Sequence, residues 1–257
     1  MNNFPEKTIK LYKRYWVKFG LRILVLIAMV WIVLFHPEEL KVLEGMNFFR
    51  HFSVLHIVWA LWAWYMLEKL LPLNNQKPKG CMKYRNAEFQ PTNAYAEWLA
   101  EGAPKAKTSG FWQAYRAEKT RYARGAWLVF GAWLLVAVGI VLLRRFCFIG
   151  NRELFIASCL FYVGDMVCIL IWCPFRDVMM KNRCCTQCRI YNWDTMMLIL
   201  PIVFVKGFFS YSLFAGAMVV VAIWEGTHLV HPERFYPISN ACLQCGNCKG
   251  ELGCRKF

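Results

Sequence analysis

Cysteine is the residue type with the most chemical potential in this chain, and it is unevenly distributed. Eight of the 12 cysteines fall in two short segments. Toward the end of the chain, Cys242, Cys245, Cys248 and Cys254 form a C-x2-C-x2-C-x5-C run, with Gly246, Gly250 and Gly253 between the thiols. Two-residue spacing lets a tight loop present successive thiolates to one face of a cube-like cluster. Glycine admits the left-handed turns of such a loop and leaves backbone N–H groups free to donate to sulfide. Upstream, Cys173-Pro174 is followed by Arg183-Cys184-Cys185-Thr186-Gln187-Cys188-Arg189, where Cys185 and Cys188 make a further C-x2-C pair. Adjacent Cys184 and Cys185 point in different directions, so one of them joins a given centre. The spacing favours a [4Fe–4S] cluster, with room for two. Metal ligation is assigned to Cys242, Cys245, Cys248, Cys254, Cys185 and Cys188, and Cys173 and Cys184 are added as cofactor-binding candidates.

Zinc is the alternative. Structural zinc sites use two separated Cys pairs, whereas Cys245 is shared by two overlapping ones. Disulfides are disfavoured where thiols stay reduced, and the upstream group has a second reading as a reduced or palmitoylated patch beside a membrane. Cys147, Cys159 and Cys168 read as small hydrophobes, and Cys81 as a free loop thiol or a distant ligand. Histidine is scarce, with His36, His51, His56, His228 and His231. His36 and His56 are placed to face each other as haem ligands would, but interfacial histidines fit the short loops better.

Charge is low and lopsided. Only 18% of residues are charged, with 31 Lys+Arg against 16 Asp+Glu and a net charge of +15, where soluble chains carry roughly 25% charge. The apolar residues cluster in five stretches, Ile23–Phe35, Val54–Met66, Ala126–Leu143, Leu154–Cys173 and Met196–Trp224. As one helix the last would be about 29 residues, roughly 43 Å, too long for a ~30 Å hydrocarbon core without strong tilt. Split at Lys206-Gly207, it becomes a hairpin of two short spans. With six spans and both termini cytoplasmic, 25 of the 31 Lys and Arg fall on the cytoplasmic side, as the positive-inside bias expects. A five-span arrangement weakens that asymmetry. No small-residue cleavage site follows the first span, so it reads as an anchor. Basic excess of this kind points to a lipid surface and not to nucleic acid, and no glycine-rich phosphate loop or nucleophile elbow is present.

Charges inside spans are costly and therefore informative. Asp165 and Lys206 lie at depths of ~12 and ~17 Å from one face, close enough to form an ion pair or a proton-handling site beside a quinone. Alternatively, Lys206 reaches outward at the hairpin turn. Between the second and third spans, Trp112, Tyr115 and Tyr122 alternate with Arg116, Lys119 and Arg121, a basic amphipathic stretch expected to lie along the cytoplasmic leaflet or to be a solvated loop.

The chain thus reads as an all-α integral membrane protein, a bundle of about six transmembrane helices with a small Cys-rich, metal-binding cytoplasmic tail. Its segments are 1–71 (tail and first two spans), 72–125 (cytoplasmic loop with the amphipathic helix), 126–226 (remaining spans with the Cys-rich loop 173–189) and 227–257 (metal-binding tail). Over Cys242 to Cys254 it resembles bacterial ferredoxin motifs, departing at the fourth Cys, which follows five residues instead of three and precedes Arg255 instead of Pro. With its membrane base, it is similar to the membrane polyferredoxin subunits of electron-transfer chains. That resemblance implies a prokaryotic cytoplasmic-membrane protein, the membrane subunit of an oxidoreductase. It would carry electrons by iron–sulfur clusters between a cytoplasmic redox partner and a quinone or further membrane subunits. The two Cys groups are expected to form one unit, with Arg176, Arg183 and Arg189 offsetting cluster charge. A zinc-stabilised scaffold or assembly factor and a metal-linked transporter are the competing functions.

Overall fold

A computed structural model describes residues 6–70, 89–102, 109–146, 148–182 and 188–244, with side chains from residue 15 onward. The described residues form helices and turns without a strand. The α-helices are α1 (Glu6–Phe35), α2 (Leu55–Leu70), α3 (Asn93–Ala100), α4 (Gly110–Arg145), α5 (Asn151–Leu170), α6 (Asp194–Ile199) and α7 (Phe208–Val230). Among the described residues, four helices are long and apolar enough to cross a membrane: Tyr15–Phe35 of α1, then α4, α5 and α7. Their outward side chains are apolar, with Leu24 61%, Trp127 71% and Leu135 73% exposed. Contiguous apolar surface on helices hydrophobic all round is what lipid contact requires.

The remaining expected spans are shorter. α2 has 16 residues. The 196–224 stretch is neither one helix nor an even hairpin. α6 ends at Ile199, Pro201 and a 3-10 turn (Ile202–Phe204) follow, Val205 is extended, and α7 begins at Phe208. Pro201 supplies no N–H and its ring opposes the preceding turn, so the helix stops there.

Two compact units divide the chain. The first comprises Met1–Leu71, Ala132–Trp172 and Asn192–Ala222. Its core is built by Leu43, Leu55, Trp62, Phe155, Ile199 and Phe209, all fully buried. The broken segment runs the length of α2 inside this unit. Asp194 at its start is bonded to Lys69 and Tyr65 near the C-terminal end of α2. At its far end Gly45 donates to the Lys206 carbonyl (2.8 Å) and Phe208 donates to the Gly45 carbonyl (2.9 Å), just before α2 begins. A Cβ at Gly207 would lie 2.0 Å from the Leu43 carbonyl oxygen, so only glycine permits this backbone approach. Protein surrounds this non-helical backbone, and Ile199, Pro201, Ile202 and Val205 are buried.

The second unit comprises Pro72–Gly131, Cys173–Tyr191 and Ile223–Phe257. Here the Trp112–Tyr122 stretch, expected as an amphipathic segment of a loop, is helical. It lies in the first half of the unbroken 36-residue α4. Its aromatic stripe is covered by protein. Trp112 stacks on Trp98 of α3 (5.4 Å between centroids), while Tyr115 and Tyr122 each meet Tyr236 edge-on at 5.5 Å.

Candidate metal centre

Of the eight candidate ligands, Cys173, Cys188 and Cys242 are among the described residues, and Cys184, Cys185, Cys245, Cys248 and Cys254 lie outside them, as do Cys81 and Cys147. All three described ligands belong to the second unit and are buried, at 8%, 7% and 6% exposure. Among the described residues no group of three or more His, Cys, Asp or Glu converges as a metal site.

Each of these cysteines is held by its own local structure. Cys173 follows the end of α5 and opens a wide turn, Phe175–Met179, in which Met180 donates to the Phe175 carbonyl (2.8 Å). Single turns of this i→i+5 type recur at functional sites. Pro174 starts the turn, and the Cys173 sulfur accepts the Arg176 N–H at 3.4 Å, the kind of contact that stabilises a thiolate. Arg176 itself forks onto Asp177 (2.6 and 2.8 Å).

Cys188 is fixed through Arg189. That guanidinium makes a two-point ion pair with Glu225 and lies 5.8 Å from the Phe235 ring centre, and the Arg189 backbone carbonyl accepts the Trp224 indole N–H (2.9 Å). The positive charges of Arg176 and Arg189, expected to offset a cluster, are therefore already balanced in part by Asp177 and Glu225, and Arg183 lies outside the described residues.

Cys242 is fixed through Asn240, a fully buried residue. Its side-chain oxygen accepts from the Cys242 N–H (3.1 Å) and from Gln90, and its amide donates to the Arg234 carbonyl (2.9 Å). Ala241 donates to the Gln90 carbonyl (2.7 Å), Thr92 N–H to Ser239, and the Thr92 hydroxyl to Ile238 (2.7 Å). Thr92 also caps α3 by accepting from Tyr95. Tyr236, 1% exposed, bonds His228 Nε2 through its hydroxyl at 2.8 Å, and burial pushes its phenol up to about 12. Sequence reasoning missed Thr92, Ser239 and Asn240. The one available signal was an Asn two residues before a Cys, the Asx-turn spacing.

The charged site inside the first unit also differs from expectation. Asp165 pairs with Arg22 (2.8 Å), not with Lys206. Lys206 is exposed beside the start of α7, in the outward arrangement that was the alternative. Arg22 further donates to the Tyr162 carbonyl (2.6 Å) and stacks over the Tyr162 ring at 4.1 Å. The Tyr65 hydroxyl reaches both Asp165 (3.3 Å) and Asp194, which also accepts from Lys69. Two carboxylates, two cations and a phenol thus link α1, α2, α5 and α6.

His36 and His56 are committed elsewhere. His56 Nε2 bonds the Phe48 carbonyl (2.8 Å) and Nδ1 lies 2.9 Å from the Ser53 carbonyl and 3.1 Å from its N–H, while His36 pairs with Glu38 on the surface. Cys159 is buried and Cys168 half-buried within α5.

No protein-family model, curated protein or solved structure matches the chain.

Proposed function

We propose that the chain is an integral membrane electron-transfer protein. Its two cysteine segments hold one or two [4Fe–4S] clusters and exchange electrons between a soluble redox partner and a membrane acceptor such as a quinone. The observation carrying this reading is that Cys173, Cys188 and Cys242 are buried in one unit, each fixed by a dedicated anchor. Thiolate ligands need burial from competing water and N–H donors to sulfur. The Cys173 environment fits both needs. The hydrogen-bonded chain of Asp165, Tyr65 and Asp194 supports proton handling at the membrane end of such a path. The proposed topology has six passes with both ends cytoplasmic, the short α2 and the broken 194–207 segment supplying two of them. The transporter alternative has lost the intramembrane Asp165–Lys206 pair that motivated it.

The test is anaerobic purification of the full chain with iron, acid-labile sulfide and zinc quantified, in parallel with Cys245→Ser. Iron and sulfide near four of each per cluster, bleached by dithionite and reduced by one cluster in the variant, are the expected result. Zinc without iron would instead establish the scaffold function.

A further inference from the structure

α4 changes character within one turn. Arg121 and Arg124 precede the change, and Leu128 follows it on a helix that continues apolar to Leu143. At this changeover a cleft of about 410 Å³ opens between α4 and the segment after the Cys173 turn, bounded by Arg121, Arg124, Gly125, Leu128, Met179 and Lys181. The walls approach closely because Gly125 has no side chain. A Cβ there would lie 2.8 Å from the Met180 sulfur and 3.1 Å from the Met179 carbonyl oxygen.

Three cations line this cleft, Arg121 and Arg124 from α4 and Lys181 from the facing segment. Arg121 has a distant partner in Glu118 (3.8 Å), whereas Arg124 and Lys181 make no salt bridge among the described residues. Leu128, Met179 and Met180 give the same cleft an apolar lining, and Leu128 is 61% exposed. Lys181 adds an independent observation. Its φ is +49°, and it is the one non-glycine residue with positive φ among those described. Glycine adopts that conformation without strain and lysine does not. A strained backbone carrying a long cationic side chain at the lip of a basic cleft points to a use for the ammonium.

We propose that this cleft is a phosphoryl-group site, occupied by the headgroup of an anionic phospholipid. The phosphate would sit among Arg121, Arg124 and Lys181, and an acyl chain would follow the exposed face of Leu128. Guanidinium groups match phosphate oxygens in geometry and charge, and basic pockets at the ends of membrane helices bind such headgroups. The exposed apolar wall selects a lipid over free phosphate. This inference requires a membrane protein but does not depend on the cysteine segments holding a cluster.

The test uses the full chain in neutral detergent, stripped of lipid, with thermal unfolding followed as phosphatidylglycerol, phosphatidylcholine or inorganic phosphate is added. Wild type should gain several degrees from phosphatidylglycerol at concentrations where phosphatidylcholine and phosphate give little. Arg124→Gln combined with Lys181→Gly should weaken that response about tenfold or more in lipid concentration. Lys181→Gly alone, which relieves backbone strain, should fold as well as wild type and still respond less. Arg145→Gln, an exposed cation at the other end of α4, should respond as wild type. An unchanged response in the double variant overturns the site, and equal protection by inorganic phosphate overturns the lipid assignment.

Discussion

Arg22 illustrates how much a single side chain can determine here. It lies seven residues into a candidate membrane span, with 10% of its side chain exposed, and its charge is tolerated because Asp165, the Tyr162 carbonyl and two aromatic rings surround it. Removing one member of such a pair leaves the other uncompensated, whereas replacing both with apolar groups of similar volume is often neutral. Asp165→Asn should therefore lower stability by about 3 kcal/mol, and Arg22→Met with Asp165→Leu should recover most of it, as measured by thermal unfolding in detergent. Asn240 has a comparable role in the second unit. Asn240→Ala leaves the buried Cys242 N–H without its acceptor and should cost about 1–3 kcal/mol. Limited proteolysis should then cut near Cys242 faster than in wild type. Neither residue announces itself in the sequence. Arg22 follows four lysines and an arginine and reads as the last cation of a basic tail, although Tyr15 and Trp16 already mark the interface before it. Asn240 is one polar residue among several, and its burial depends on Gln90 and Thr92, some 150 positions earlier.

At the scale of elements, legibility follows self-sufficiency. The apolar runs of α4, α5 and α7 satisfy their own backbone hydrogen bonds and were readable as helices from composition alone. The segment around Pro201 was not. Its path depends on a close backbone approach by Leu43 and Gly45, which no local pattern encodes, so the stretch appeared to be one overlong helix or an even hairpin. The aromatic stripe of α4 failed for a related reason. Its amphipathicity was legible, but the partner covering it, α3 with Tyr236, was not, and a bilayer surface or solvent was expected there instead. Gly207→Ala should destabilise the first unit by about 2–3 kcal/mol or more, because the added methyl meets backbone that cannot rotate away. Its unfolding temperature should fall well below that of a Gly139→Ala control, where a Cβ would meet nothing within 4 Å.

For the molecule as a whole, the distribution of cations makes a topological statement that is open to direct measurement. Reporter fusions ending after Asn182 and after Gly250 should be active on the cytoplasmic side, and one ending after Leu43 on the opposite side. A Gly250 fusion active outside would mean that the chain crosses an odd number of times, and the tail cysteines would then meet an oxidising compartment where disulfides persist.

The buried, interrupted stretch from Asp194 to Gly207 bears on how the protein is made. A span can leave the insertion machinery on its own when its backbone is satisfied within the segment and its flanks are wet. This stretch begins with an aspartate that needs Lys69 and Tyr65, breaks at a proline, and ends against Gly45. Those partners are synthesised more than a hundred residues earlier. Its partners are therefore already made when it emerges, whereas α7, which packs in the same core, is still to come.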